Sequence, residues 1–161
     1  MSGLSSRPPR VLFICTGNIC RSPTAHALLL HKARAAGLQV AVDSAALSRE
    51  EWGRPADERA VAQAQRRGVA MPERRARQVT KQDFATHDHV IGMTRAHCDA
   101  LRRLAPGHAG KVEMLMAFAA GAGAEPQDVP DPWYGGEADF AQAFDMIEAG
   151  VDGLLELLSN Q

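Results

Sequence analysis

The sequence lacks the features that would point to a membrane or to nucleic acid. Its apolar runs are far shorter than the ~18 residues that a bilayer-spanning helix needs. Residues 1–10 hold no apolar segment of the kind that a signal peptide carries. The formal net charge of -1 gives no overall attraction to nucleic acid. We therefore expect a cytoplasmic protein that binds neither a membrane nor nucleic acid.

Cysteine is also scarce, with three residues in 161. An odd number of cysteines in a chain long enough for its own core favours reduced thiols over a disulfide framework. The six histidines show no metal-ligand spacing, since His87 and His89 merely alternate as in a strand. We expect one domain over residues 1–161, with 1–9 as a flexible lead-in and no bound metal.

The remaining pattern alternates short apolar strands with helices, which is typical of a doubly wound α/β fold. Residues 11–14 are continuously apolar, as in a central strand of a parallel sheet. A helix is predicted over 22–36, with Ser22 as N-cap and with His26 and His31 on its surface. The other predicted strands are 38–42, 89–93 and 111–115, and the other predicted helices are 56–67, 95–104 and one that starts with a capping box at Thr80.

The C-terminal part combines a long irregular segment with an amphipathic helix. Residues 119–136 are dense in Ala, Gly and Pro and show no periodicity, and loops of that length are usually functional or disordered. Behind them an apolar stripe at steps of three and four predicts a core-facing helix, formed by Phe140, Phe144, Ile147, Val151, Leu154 and Leu158.

One stretch carries chemistry, because a strand runs directly into a cysteine, a tight loop, an arginine and a helix start. Cys15 and Arg21 close a loop small enough for its backbone N–H groups to converge on one oxyanion. The helix dipole and the guanidinium would stabilise Cys15 as a thiolate. The predicted anion ligands are the loop residues Thr16, Gly17, Asn18, Ile19, Cys20 and Ser22.

A thiolate beside a bound phosphate indicates nucleophilic attack on phosphorus, with a phosphocysteine intermediate. The leaving oxygen then needs a proton from an acid on the opposite side. Asp131 is the best candidate, because Pro130 and Pro132 stiffen its segment. Trp133 and Tyr134 would supply aromatic walls for a flat leaving group.

These residues resemble the low-molecular-weight protein tyrosine phosphatases, through Cys15-Thr-Gly-Asn-Ile-Cys-Arg21-Ser22-Pro23 and Asp131-Pro-Trp-Tyr134. The resemblance covers nearly the whole chain. It implies a three-layer α/β/α, flavodoxin-like fold with a four-stranded parallel sheet of order 2-1-3-4. It also implies that Cys15 is the nucleophile, Arg21 the phosphate clamp and Asp131 the general acid.

The same resemblance assigns supporting roles and partners. Asn18 would hold the loop in its strained shape, and the Ser22 hydroxyl would bind the thiolate. A reversible disulfide between Cys15 and Cys20 would protect an oxidised nucleophile. The implied substrate is a phosphotyrosine-containing protein, including a tyrosine kinase, and the implied anions are phosphate, sulfate and vanadate. No metal or organic cofactor is implied, and a monomer or weak dimer is expected.

Three departures from the family pattern concern the surroundings of the loop. Glu50 stands where an aromatic residue is common, while Trp52 lies just before Gly53, and both are expected at the mouth of the pocket. Arg74 replaces a histidine that supports the loop from behind, so either Arg74 or another donor must satisfy Asn18 and Ser44. Met93-Thr94 replaces the usual Met-Asp pair.

Two other functions remain open from the sequence. Arsenate reductase uses the same scaffold but needs further cysteines for a relay disulfide, and the region of Cys98 holds only one. An inactive phosphate-binding module would not need Cys15, Arg21 and Asp131 together. The arginines between 66 and 77 are interpreted as a solvated face, with docking of an acidic partner as the alternative.

Overall fold

A four-stranded parallel sheet forms the centre of the protein, in a computed structural model that describes residues 7–119 and 124–161. The strands are β1 (Arg10–Cys15), β2 (Ala41–Ala46), β3 (His89–Gly92) and β4 (Val112–Met114). Their spatial order is β2-β1-β3-β4, and every neighbouring pair is parallel. This confirms the predicted fold and strand order.

Five α-helices within residues 7–119 and 124–161 cover the sheet, and short 3-10 turns at Pro106–Lys111 and Leu115–Ala117 flank β4. The helices are α1 (Arg21–Ala35), α2 (Glu58–Arg66), α3 (Lys81–Thr86), α4 (Arg95–Leu104) and α5 (Glu137–Ser159). Among the described residues, none of these helices combines the length and apolarity needed to cross a bilayer.

The side chains of β1 divide the core into two halves, because successive residues of a strand point to opposite faces. Val11 and Phe13 pack with residues of α1 and α5 on one side of the sheet. Leu12 and Ile14 pack with residues of α3 and α4 on the other. All four are 0 % exposed, so β1 is the buried central strand that its apolar run predicts.

Helix α5 lies unusually close to the turn that follows β4. A Cβ on Gly153 would lie 2.1 Å from the Phe118 carbonyl oxygen, and one on Gly150 would lie 2.6 Å from Leu115 Cγ. Two glycines on one face therefore permit this contact. All six residues of the predicted apolar stripe on α5 are buried.

Several predicted boundaries are wrong. β2 begins at Ala41 and not at residue 38, because Leu38 still donates its N–H to the Ala33 carbonyl at the end of α1. β2 also continues through Ser44 to Ala46, since it pairs with β1 as far as Cys15. The capping box of Thr80 with Asp83 is confirmed.

The structure describes only part of two irregular regions, the N-terminal lead-in and the segment 119–136. Of the predicted lead-in, residues 1–6 lie outside the described chain, while Arg7 pairs with Asp88 at 2.8 Å and the Pro9 carbonyl accepts a hydrogen bond from Ala41. Within the long segment 119–136, residues 120–123 also lie outside the described chain. The remainder of this segment carries three residues of the site, Asp131, Trp133 and Tyr134.

Candidate active site

The candidate site lies at the carboxyl ends of the parallel strands, where open α/β sheets bind their ligands. The chain leaves β1 at Cys15, forms the loop 16–20 and enters α1 at Arg21. The N–H groups of Leu47 and Ser48, just after β2, bond the carbonyls of Cys15 and Thr16 at 3.0 Å. The end of β2 therefore fixes the entrance of the loop.

The Cys15 sulfur is surrounded by hydrogen-bonding groups. Its Sγ lies 3.0 Å from the Ser22 hydroxyl and accepts from the backbone N–H groups of Asn18 at 3.3 Å and Ser22 at 3.4 Å. These three contacts fix the position of the sulfur. The prediction that Ser22 caps α1 is wrong, because the helix begins at Arg21 with Cys20 as its N-cap, and the Ser22 hydroxyl contacts the sulfur instead.

The loop is held in shape from beneath by Asn18. Asn18 has φ 61°, a left-handed conformation that costs a non-glycine residue energy and needs surrounding contacts. Its Nδ2 donates to the Ser22 hydroxyl at 2.8 Å. Arg74 Nη2 donates to the Asn18 carbonyl at 2.8 Å and also contacts Asn18 Oδ1. Asn18 and Ser22 are both fully buried, so their side chains lie under the loop and do not line the pocket.

Ser44 has a different partner, His26 of α1, whose Nδ1 lies 3.3 Å from the Ser44 hydroxyl. Arg74 therefore contacts Asn18 and His26 contacts Ser44, where the family resemblance implies a single histidine for both. The prediction that His26 lies on the surface is wrong, because that side of α1 packs against β2 and His26 is 7 % exposed. Burial lowers the pKa of His26 to about 4 and keeps it neutral.

Arg21 is buried at the base of the pocket and is held by three groups. Its Nη1 donates to the Val129 carbonyl at 2.9 Å, and its Nη2 donates to Thr16 Oγ1 at 3.4 Å. Nη2 also lies 3.7 Å from Asp131 Oδ2. The fold therefore brings together Cys15, Arg21 and Asp131 around one cleft, although Asp131 is far away in the sequence.

The cleft has a volume of about 160 Å³, and its walls contain most of the predicted substrate-binding residues. These are Thr16, Gly17, Ile19, Cys20, Glu50, Trp133 and Tyr134. Trp52 is not among them, and its side chain is 58 % exposed and stacks with the Arg49 guanidinium. Glu51 lines the wall instead. A Cβ added at Gly17 would lie only 3.1 Å from Glu51 Cγ, so the two residues pack closely.

The segment that carries Asp131 is anchored by residues that the sequence did not single out. Arg59 of α2 donates to the Trp133 carbonyl at 3.0 Å, and its guanidinium stacks over the Trp133 ring at 5.2 Å. Asp57 holds Arg59 in place through an ion pair of 3.1 Å. Asp128 accepts the Arg95 N–H at 2.8 Å and so ties the segment to α4.

Surface charges elsewhere are mostly paired within the protein. Arg66 lies 2.5 Å from Glu137, and Arg67 lies 2.6 Å from Asp145. Arg77 bridges Asp43 and Asp83. Arg66 and Arg67 fit the interpretation of a solvated face, whereas Arg74 contacts Asn18 under the loop and Arg77 is half-buried between two carboxylates. In the described part of the chain no cluster of His, Cys, Asp or Glu could hold a metal ion.

A buried cysteine in an anion-binding loop, facing an arginine and an aspartate, defines the site as that of a cysteine-dependent phosphatase. Residues 10–161 match the family model described as low molecular weight phosphotyrosine protein phosphatase. The chain belongs to this family, whose members are hydrolases that act as protein-tyrosine phosphatases.

Individual relatives agree with this assignment. The chain is 39% identical over 156 residues to the low molecular weight protein-tyrosine-phosphatase of Streptomyces coelicolor, covering 94% of both chains. It is 38% identical over 151 residues to the low molecular weight protein-tyrosine phosphatase A of Mycobacterium tuberculosis, covering 92% of this chain and 91% of the relative.

Solved structures have the same architecture. A protein tyrosine phosphatase from Entamoeba histolytica, with Hepes in its active site, superposes with a TM-score of 0.88 at 29% identity and covers 94% of this chain and 97% of its own. YfkJ from Bacillus subtilis superposes with a TM-score of 0.87 at 30% identity and covers 96% of both.

Proposed function

We propose that the protein hydrolyses phosphotyrosine in proteins, and small aryl phosphates, through a phosphocysteine on Cys15. The observation that carries this proposal is the position of Cys15 Sγ, which three hydrogen bonds hold at the base of the cleft that Arg21 and Asp131 also line. Arg21 and the loop N–H groups would bind the phosphate oxygens.

In the first step Cys15 Sγ attacks phosphorus, so that an S–P bond forms while the bond from phosphorus to the aryl oxygen breaks. Asp131 gives its proton to that oxygen. Asp131 Oδ2 lies 3.7 Å from Arg21 Nη2, so the acid stands beside the group that would bind the phosphate.

In the second step water attacks the phosphocysteine. The Asp131 carboxylate takes a proton from the water, the new P–O bond forms, and the S–P bond breaks to release phosphate and the thiolate. The same carboxyl therefore acts first as acid and then as base. Arg59 and Asp128 support this role, because both anchor the Asp131 segment.

The test is hydrolysis of an aryl phosphate in the presence of a metal chelator. We expect Cys15→Ser to abolish turnover and Asp131→Ala to lower kcat ~10²–10⁴-fold, the usual scale of general-acid catalysis. Cys98→Ser is the matched control, since Cys98 is buried in α4 outside the cleft. Undiminished activity of Cys15→Ser would overturn the mechanism.

The position of Cys98 also bears on the arsenate reductase alternative. The Cys98 side chain is 1 % exposed and does not line the cleft. A relay cysteine must be reached by its disulfide partner. We therefore retain phosphate ester hydrolysis as the function.

We further propose that Cys20 protects Cys15 against oxidation. A hydroperoxide would transfer one oxygen to the Cys15 thiolate, which with a proton from solvent gives a sulfenic acid and water or an alcohol. Attack by the Cys20 thiol on that sulfur would then form the disulfide and release water. Burial, and to a smaller extent Asp57, raises the pKa of Cys20, so Cys20 would pass its proton to the departing oxygen as it attacks. Mass mapping after mild peroxide treatment should find a Cys15–Cys20 bond. Its absence would remove this role.

The proposed ligands follow from the same loop. Phosphate, sulfate and vanadate would bind between Arg21 and the loop amides, and a benzylphosphonate complex is known for Wzb from Vibrio vulnificus, a structural relative at 26% identity with a TM-score of 0.81. A phosphorylated tyrosine kinase stays a prediction as the protein substrate. A monomer or weak dimer and a cytoplasmic location also stay predictions.

A further inference from the structure

His97 is a buried titratable group at the site that the mechanism above does not use. It lies in the first turn of α4, is 5 % exposed, and places Nε2 3.0 Å from Thr16 Oγ1 in the anion-binding loop. Gly92 at the end of β3 makes this approach possible, because a Cβ there would lie 3.0 Å from His97 Cβ. Within the described chain, His97 Nδ1 is buried and has no hydrogen-bond partner.

The orphaned Nδ1 indicates which nitrogen carries the proton. Burial, and then the nearby charge of Arg21, lowers the pKa of His97 to about 4, so the ring is neutral near pH 7. A proton on Nδ1 would leave a buried donor unpaired, and orphaned donors are rarer in proteins than under-satisfied acceptors. The proton therefore belongs on Nε2, which then donates to Thr16 Oγ1.

This arrangement leaves the hydrogen of the Thr16 hydroxyl free to donate one more hydrogen bond. Its oxygen already accepts from Arg21 Nη2 at 3.4 Å, and His97 Nε2 occupies the second lone pair. The hydroxyl hydrogen must therefore point elsewhere, and Thr16 lines the cleft. A phosphate oxygen bound beside Arg21 is a suitable acceptor.

We propose that His97 is a positioning residue that aims the Thr16 hydroxyl at the substrate phosphate. The hydroxyl would add a side-chain donor to the guanidinium and the backbone N–H groups. This inference rests on the proposed function, because it concerns the phosphate of the same substrate. A hydrogen bond to a charged acceptor corresponds to roughly a tenfold change in affinity or more.

The test combines Thr16→Val, which keeps the backbone N–H, with His97→Ala and the double variant. We expect each single variant to weaken binding of inorganic phosphate about tenfold by calorimetry. KM for an aryl phosphate should rise by a similar factor with a smaller change in kcat, since the bond exists before and during the reaction. The double variant should lose no more than Thr16→Val alone.

Two conservative variants separate positioning from packing. His97→Gln can place its amide nitrogen near the position of Nε2 and should restore phosphate affinity, whereas His97→Asn is too short to do so. If His97→Ala does not fold, this pair decides the question. Multiplicative losses in the double variant, or equal phosphate affinity for the Gln and Asn variants, would overturn the proposal.

Failure of the proposed function would look different. Phosphate binding by calorimetry does not require turnover, so it tests His97 even in an inactive protein. Loss of the mechanism would show as full activity of Cys15→Ser, with the binding results for Thr16 and His97 unchanged.

Discussion

The buried His26, on the side of α1 that faces β2, makes the stability of the protein sensitive to mild acid. Its ring packs between α1 and β2, with Nδ1 3.3 Å from the Ser44 hydroxyl. The folded protein holds it neutral with a pKa of about 4, whereas the ordinary value is 6.5. The unfolded chain therefore binds a proton at a higher pH than the folded chain does.

The direction and the size of the pH effect on the free energy of unfolding follow from this difference in the pKa of His26. The contribution of His26 to the free energy of unfolding is complete above pH 6.5 and is lost as the pH falls toward 4. Linkage gives a loss of about 2 kcal/mol between about pH 7.5 and about pH 5, and about 3 kcal/mol once the pH is below about 4. The pKa values of Asp57, Asp83 and Asp88 are lowered from 3.8, so these carboxylates titrate below the measured window.

The assay is urea unfolding at about pH 7.5 and about pH 5, for the wild type and for His26→Asn. The asparagine can place its amide near the position of Nδ1 but does not titrate. We expect it to reduce the pH-dependent loss by about 2 kcal/mol. His31→Asn is the matched control, because His31 is exposed on the same helix. An unchanged pH dependence in His26→Asn would refute the reasoning.

Three further changes test the mouth, the core and the Asp131 segment. Glu50→Lys should raise kcat/KM for an acidic phosphopeptide about two- to fivefold, as expected for one exposed charge pair; an equal change with a small aryl phosphate would contradict this. Gly153→Ala places a Cβ 2.1 Å from the Phe118 carbonyl oxygen and should cost roughly 1–3 kcal/mol in thermal melts, whereas an unchanged Tm would show that α5 shifts freely. Arg59→Ala should lower kcat up to about 100-fold by misplacing Asp131, and a purely KM effect would argue against that role.

The sequence predicted the parts of the site that are local in the chain. Cys15, the loop and Arg21 follow one strand and open one helix, so their juxtaposition needs no distant contact. The apolar period of α5 likewise reports its buried face directly. Asp131 was predicted as the acid from its flanking prolines and aromatic residues, and the family resemblance implies the same role.

The parts that the sequence missed depend on distant neighbours. Nothing in the sequence distinguishes His26 and His97 from other residues of a helix. They belong to the site only because β2 lies against His26 and the loop lies against His97. The choice between Trp52 and Glu51 at the pocket wall depends on how the segment after β2 folds over Gly17. The only local signal for His97 is Gly92, the glycine that makes room for it.

The bond from Arg21 to the Val129 carbonyl joins the two halves of the site before any substrate arrives. Val129 in turn donates its N–H to the Met93 carbonyl at 3.0 Å, just beyond β3. Local opening of the Asp131 segment would therefore release the phosphate clamp at the same moment. We therefore expect the clamp and the acid segment to open together, so that a thermal fluctuation disables both halves of the site at once.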